Sequence, residues 1–443
     1  MFIYPRREEF ITINRYQHSP NLDDTQPNII LCILKVGEPL MTTHTNYRAF
    51  LIHALFLSLS MSFIDVNTVA PAMLTQSGGS TFHLGLLSAI MVGMASFMQL
   101  FFATLIMGFR RKKSALLVGI YIRVTSLFIL AFFLHNIGLP APWKIYFILS
   151  LMALFSFSGA FANIAYIDIL GSTIAKPLRK KLLTQKQLIS SIGLIVSSLI
   201  VKVVLSRFSF PKSYSLLFFA ASALLLLATV GFWMLKEDTK ETKDNNNLLE
   251  RLRLFIVLLK EDKNIRMYLL LINTSGIILA TLPFLVVLAN KYSTVDGSSA
   301  GSYLLMQLFG SLLMTLLTKK FSKTERYRSP LYLFIILASS IPLIALLLRH
   351  HPNLYPGVFI LAGASTALFH IVSVGILLEI SNTENRPLYS AVAGVGAVMN
   401  IVYPLLAGAL IPRLGFPTLF CATSMYILLG LIAAKNLNCF SSN

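Results

Sequence analysis

Charge is what this chain lacks. Only 12% of its 443 residues are Asp, Glu, Lys or Arg, half of the roughly 25% in a soluble domain. So few ionised groups cannot hold in water a body that is 56% apolar, with a mean hydropathy of +0.73, which excludes soluble enzymes and soluble binding modules. Cysteine is nearly missing too: Cys32, Cys421 and Cys439 are too few and too scattered for a disulfide framework or a zinc site. No G-x-x-x-x-G-K-[ST], H-E-x-x-H or C-x-x-C is present, so an ATP-driven pump and a metalloprotease lack their chemistry. No cofactor, metal or enzymatic activity is expected.

Long apolar runs are there instead. About twenty helical residues, at 1.5 Å each, cross the ~30 Å hydrocarbon core, and unbroken runs of that length exclude the alternation of a barrel. Twelve occur, at 49–72, 84–107, 114–134, 145–168, 186–206 and 214–235, then 267–289, 299–318, 329–348, 356–379, 388–411 and 415–434. The expected fold is an all-α polytopic membrane protein with twelve transmembrane helices in two six-helix bundles, 49–235 and 267–435. A polar segment, 236–266, separates them, and 1–48 and 436–443 flank them.

Basic residues set the orientation. With the N-terminus inside, 29 of the 37 Lys and Arg fall on the cytoplasmic side, six outside (Lys144, Arg207, Lys212, Lys291, Arg349, Arg413) and two within spans (Arg123, Lys202). Both termini are therefore expected to be cytoplasmic, in a bacterial inner membrane. The net charge of +19 reads as a topology signal beside anionic lipid, not as a nucleic-acid footprint.

The first forty residues have no signal peptide and read as unstructured. Gly37-Glu38 is encodable as GGAGAA or GGAGAG, a ribosome-binding sequence two codons before Met41. Bacterial initiation at Met41, leaving 1–40 untranslated, stands beside a true cytoplasmic tail; native protein with residues before Met41 would refute the first reading. In the middle segment, Leu248, Leu249, Leu252, Phe255, Ile256 and Leu259 make one helical stripe, as in a helix lying in the membrane interface.

Each charge inside a span needs a reason, because at mid-bilayer it costs at least ~2.5–3.5 kcal/mol. Asp65 shares a stripe with Ser58 and Ser62; it is a candidate proton- or cation-binding carboxylate, or a structural cap or ion pair near the outer end of its helix. Arg123 has the reach to pair with it. Asp168 and Glu379 end their helices beside the loop arginines Arg110, Arg111 and Arg386 and suit inter-helix latching. Uncharged polar residues sit at similar depths in both halves: Gln99, Asn163, Tyr166, Asn273, Gln307, His370, Asn400 and Tyr403. Singly, each suits helix–helix contact; together they suggest a shared wet cavity.

Six plus six helices with a charged middle and cytoplasmic ends resemble the major facilitator superfamily of secondary transporters, over about residues 47–435. Gly108-Phe109-Arg110-Arg111-Lys112-Lys113 resembles that family's G-x-x-x-D-R-x-G-R-R without the Asp and second Gly. Lys319-Lys320-Phe321-Ser322-Lys323 repeats the basic cluster in the second half. Pro177-Leu178-Arg179 resembles its P-x-x-R-G, with Lys180 in place of the Gly. The stretches Phe63-Ile64-Asp65 and Glu379 to Arg386-Pro387-Leu388-Tyr389 look like poorly characterised bacterial permeases of this superfamily.

The resemblance implies that helices 1, 4, 7 and 10 line a central cavity, carrying Asp65, Asn163, Asn273 and His370, and that Arg123 lies on an outer helix. The reading is a secondary transporter, expected to be a monomer, moving a small solute by alternating access. Asp65 and then His370 are the coupling candidates, with H+ or another ion, and the solute is neutral, weakly charged or amphipathic. A transporter-shaped sensor or assembly factor is the alternative; an enzyme acting on lipid-linked substrates is a third reading, poorly served by loops that offer mainly Lys and Arg.

Overall fold

In the computed structural model the described residues are 29–437, apart from 108, 110, 137–139, 175, 236–247, 293–296, 322–326 and 382–385. Every regular element among them is helical. The described residues divide at 42/43, and the residues that build the site lie after that point. In lipid a backbone must satisfy its own hydrogen bonds, so apolar runs become helices, and polar or proline-containing turns end them.

The first half runs α1 (Ile29–Phe63), α2 (Val69–Gln76), α3 (Thr81–Ser88), α4 (Ala95–Met107), α5 (Lys112–Asn136), α6 (Ala141–Thr173), α7 (Lys176–Arg207) and α8 (Lys212–Trp233). A π-helical turn, Ala89–Met94, joins α3 to α4. Next come α9 (Leu248–Glu261), where the sequence predicts the amphipathic helix, and α10 (Lys263–Thr274), a 3-10 turn (Ser275–Ile277) and α11 (Ile278–Tyr292). The rest is α12 (Gly297–Phe321), α13 (Arg328–Leu348), α14 (Pro356–Ile380), α15 (Arg386–Gly396), α16 (Met399–Leu428) and α17 (Gly430–Asn436).

Ten stretches among the described residues are apolar and long enough to cross a membrane. Nine match spans 2 to 10 of the sequence reading. The tenth, Leu388–Asn436, has 49 residues, about 74 Å of helix at 1.5 Å each, too long for one crossing. It turns at Gly415, where φ is +78°, a conformation that excludes a side chain with Cβ at little cost. Together with α1–α2 the arrangement is consistent with twelve crossings.

The helices break where the sequence predicts continuity. Span 1 unwinds at 64–68, between α1 and α2, and span 11 at 397–398, between α15 and α16. At the N-terminus the difference runs the other way: α1 begins at Ile29, inside the segment expected to be unstructured. Ile29 to Val36 holds neither Gly nor Pro, so nothing in it opposes helix propagation.

The two halves meet through small residues, as helices in lipid do when backbones pack closely. Here α3 and the π turn lie against α16, α7 against α12, and α2 against α11 and α12. A methyl group at Gly85 would collide with the Pro404 carbonyl, and one at Gly301 would sit 2.6 Å from Lys202 Cα. Thr81 Oγ1 donates to the Gly408 carbonyl at 3.0 Å across the first of these seams. Both seams lie toward the end of the bundle away from the lysine- and arginine-rich loops.

Candidate functional site

Near the basic end of the first half, α1, α5, α6, α7 and α8 enclose a cavity of about 80 Å³. Its polar walls are His53, Arg123, Asn163, Tyr166 and Lys186; Leu57, Leu116, Ile120, Ala162 and Leu225 form much of the rest. Among the described residues no Asp or Glu lines it.

Arg123 stands eleven residues into α5, about 16 Å along the helix. Gly159 makes room for it: a Cβ there would lie 3.1 Å from both Cζ and Nε of the guanidinium. The guanidinium stacks over the Phe155 ring at 4.2 Å and approaches Met61 Sδ at 3.9 Å. Its Nε is buried without a hydrogen-bond partner. The expected ion pair with Asp65 does not form. Asp65 instead turns back on its own chain, where Oδ1 accepts from Asn67 N (3.0 Å), Thr68 N (2.8 Å) and Thr68 Oγ1 (2.7 Å). The break at 64–68 creates those backbone donors, so the carboxylate closes an Asx-type turn ahead of α2, a local arrangement that needs no distant partner.

Tyr166 is 8% exposed, and its hydroxyl has no hydrogen-bond partner. Its ring is wedged edge-on between Phe50 (5.2 Å) and Phe232 (6.0 Å). Lys186 Nζ lies 4.4 Å over that ring. His53 is buried, 4.4 Å from the Phe232 ring, with Nδ1 3.2 Å from the Ala228 carbonyl. Tyr47 donates to Gln185 Oε1 at 2.8 Å and ties α1 to α7 beside the site. A cation–π contact returns about 0.5–2 kcal/mol, less than the ~2.5–3.5 kcal/mol floor for a membrane-buried charge. Among the described residues, Arg123 and Lys186 make no ion pair. The charged walls of the cavity, Arg123 and Lys186, are donors only, beside His53, Asn163 and Tyr166, which can both donate and accept.

Of the sequence-predicted site residues, Asn163 and Tyr166 meet in this cavity, joined by Arg123. His53 and Lys186 are additions that the structure makes. His53 is visible in the sequence as an ionisable group four residues into span 1; Lys186 reads as a loop residue because span 5 starts there, whereas α7 begins ten residues earlier.

The other candidates lie elsewhere. Asn273 braces the break between α15 and α16: Nδ2 donates to the carbonyls of Gly396 (2.7 Å) and Leu269 (2.8 Å), and Oδ1 accepts from Met399 N (2.9 Å). Tyr403 is hydrogen-bonded to Thr423 Oγ1 at 2.9 Å. Gln307 and Asn400 are buried with Oε1 and Oδ1 unpartnered, and the Asn400 carbonyl lies against Gly93 in the π turn. His370, Asp168, Glu379 and Arg111 are exposed. Arg110 and the side chains of Gln99 and Arg386 lie outside the described residues.

Long apolar helices that pack at small-residue seams around polar groups are the architecture of a polytopic membrane transporter. The chain belongs to the Major Facilitator Superfamily, which it matches over residues 51–324. No match is found among the curated proteins. Among solved structures it resembles the nucleoside transporter NupG, with a TM-score of 0.64 at 12% identity over 89% of this chain and 100% of that one. It also resembles a peptide transporter, POT, in complex with sulfate (TM-score 0.64, 11% identity, 88% and 94% covered). A third is a bacterial homologue of the human lysosomal transporter Spinster, inward-facing and unoccupied (TM-score 0.59, 13% identity, 88% and 98% covered).

Proposed function

We propose that this protein is a secondary transporter that moves a small solute across the bacterial inner membrane by alternating access, its two six-helix halves rocking about their shared seams. The observation that carries the reading is the pairing of glycine-tight seams between the halves with a donor-rich cavity inside one of them. Helices packed only for structure have no use for a buried guanidinium and phenol without partners.

Packing of α2 and α3 onto α11, α12 and α16 closes the end away from the basic loops. With both termini cytoplasmic, as the distribution of basic residues supports, that is the inward-facing stage of the cycle. The amphipathic α9 then lies along the cytoplasmic interface, linking the halves. Asp65 and His370 remain the coupling groups for a proton or another ion, and the monomer is the working unit.

Reconstitution tests this. Proteoliposomes preloaded with members of a solute panel (nucleosides, short peptides, small carboxylates and phosphates) should show saturable counterflow for at least one class. Absence of flux for every class, from protein that still binds a panel member, would replace the transporter with a sensor. Coupling is read by imposing pH gradients on Asp65→Asn and His370→Ala; unchanged pH dependence in both rejects those assignments.

A further inference from the structure

We infer that the cavity among α1, α5, α6, α7 and α8 is an oxyanion subsite, and that the transported solute is a small organic anion bearing a carboxylate or phosphate group. The identity of the occupant as a solute rests on the transporter reading; its charge rests on the cavity alone.

Four observations converge. Among the described residues the lining holds a guanidinium and an ammonium, Arg123 and Lys186, and no carboxylate. The Arg123 Nε and the Tyr166 hydroxyl are both buried and unpartnered, and Tyr166 itself is more than nine-tenths buried. Asn163 lines the same cavity and is exposed, so the site has an entrance. A space of about 80 Å³ accommodates a head group of a few heavy atoms and not a whole drug-sized solute.

The donor geometry selects the class. Guanidinium and ammonium have donors and no acceptors, so a neutral hydroxyl or amide would satisfy hydrogen bonds but leave two positive charges uncompensated. A carboxylate or phosphate compensates both and takes the charge-assisted bonds that Arg forms best. A cation is repelled. The sequence alone favours a neutral or weakly charged solute because few charges fall inside spans; with Lys186 brought into α7, the local balance becomes +2. Gly159 is the positioning device, since any side chain there presses on the guanidinium.

A free solute and an anionic lipid headgroup offer the same chemistry. The test uses full-length protein in phosphatidylcholine nanodiscs at constant ionic strength, titrated with inorganic phosphate, sulfate and a set of small mono- and dicarboxylates. Saturable thermal stabilisation by at least one of these, reversed against chloride alone, is the expected result. Arg123→Gln should weaken it at least tenfold and Lys186→Gln several-fold, while Arg207→Gln, an exposed arginine at the far end of α7, leaves it unchanged. Lys186 is only half-buried, so its variant serves even where Arg123→Gln fails to fold. Stabilisation by phosphatidylglycerol in the nanodisc, with none by soluble anions, would overturn the solute and make the occupant a lipid. No response to either overturns the site. Counterflow of a neutral solute that ignores these anions also overturns this proposal and leaves the transporter standing; anion binding with no flux does the reverse.

Discussion

Asn273 is the most informative residue to remove. Its side chain bridges an interruption in another helix, giving a donor to the Gly396 carbonyl and an acceptor to Met399 N. Substitution by Ala strands both groups where the chain leaves α15, and no helical partner takes their place. Each buried, unpaired backbone group costs about 1–3 kcal/mol. Asn273 is half-buried, so the low end applies and the pair should lose about 2–4 kcal/mol. At ~2–4 °C per kcal/mol for a large domain, the midpoint should fall on the order of 5–10 °C in detergent thermal scans. Leu, of similar volume, should do no better than Ala, because the loss is of hydrogen bonds and not of packing. Asp keeps the acceptor for Met399 but brings a charge into the span, so it should do no better than Ala. A solute ligand at this position would behave oppositely: KM would rise while the midpoint stayed. A midpoint within 1 °C of the parent in Asn273→Leu, accompanied by a raised KM, would refute the brace.

Asp65→Ala removes three bonds from the turn ahead of α2 and should cost about 1–3 kcal/mol, read by chemical unfolding; Asp65→Asn keeps an acceptor and should cost under half of that, so equal losses would show that the charge and not the turn matters. Gly159→Ala puts a methyl 3.1 Å from the Arg123 guanidinium and should weaken anion binding several-fold while shifting stability by less than ~1 kcal/mol; unchanged binding would free Arg123 from the site. Gly85→Ala drives a methyl into the Pro404 carbonyl, so it should open the seam between α3 and α16, and a cysteine placed at Thr81 should then label faster with a membrane-impermeant maleimide. Labelling no faster than in the parent would mean that this seam does not close the outer end.

How far the sequence could be read depends on which physical rule each feature obeys. Run length obeys bilayer thickness, so ten stretches and their order were legible, down to the amphipathic α9. Local unwinding obeys no such rule. The residues at the breaks are weak helix formers, Asp65-Val66-Asn67-Thr68 and Gly396, but inside long apolar runs such residues are also tolerated within unbroken helices, so propensity does not place the breaks. Those breaks in turn decide the fate of the polar residues. The rule that a polar group in lipid must find a partner singled out Asp65, Arg123, Asn163, Tyr166 and Asn273 from sequence. It left open whether the partner would be a neighbouring side chain, an unwound backbone or a bound molecule.

Once the breaks are known, the same residues sort by a single criterion. Asp65 and Asn273 fill with backbone groups exposed by unwound segments beside them, and Tyr403 with Thr423. Arg123 and Tyr166 have no such segment within reach, since α5 and α6 run unbroken past them. An intact helix has no free N–H mid-span, and its carbonyls offer only a second lone pair, as the Arg123 carbonyl does to Ser126 Oγ. Arg123 Nε and the Tyr166 hydroxyl take no such bond, which leaves their hydrogen bonds to whatever enters past Asn163.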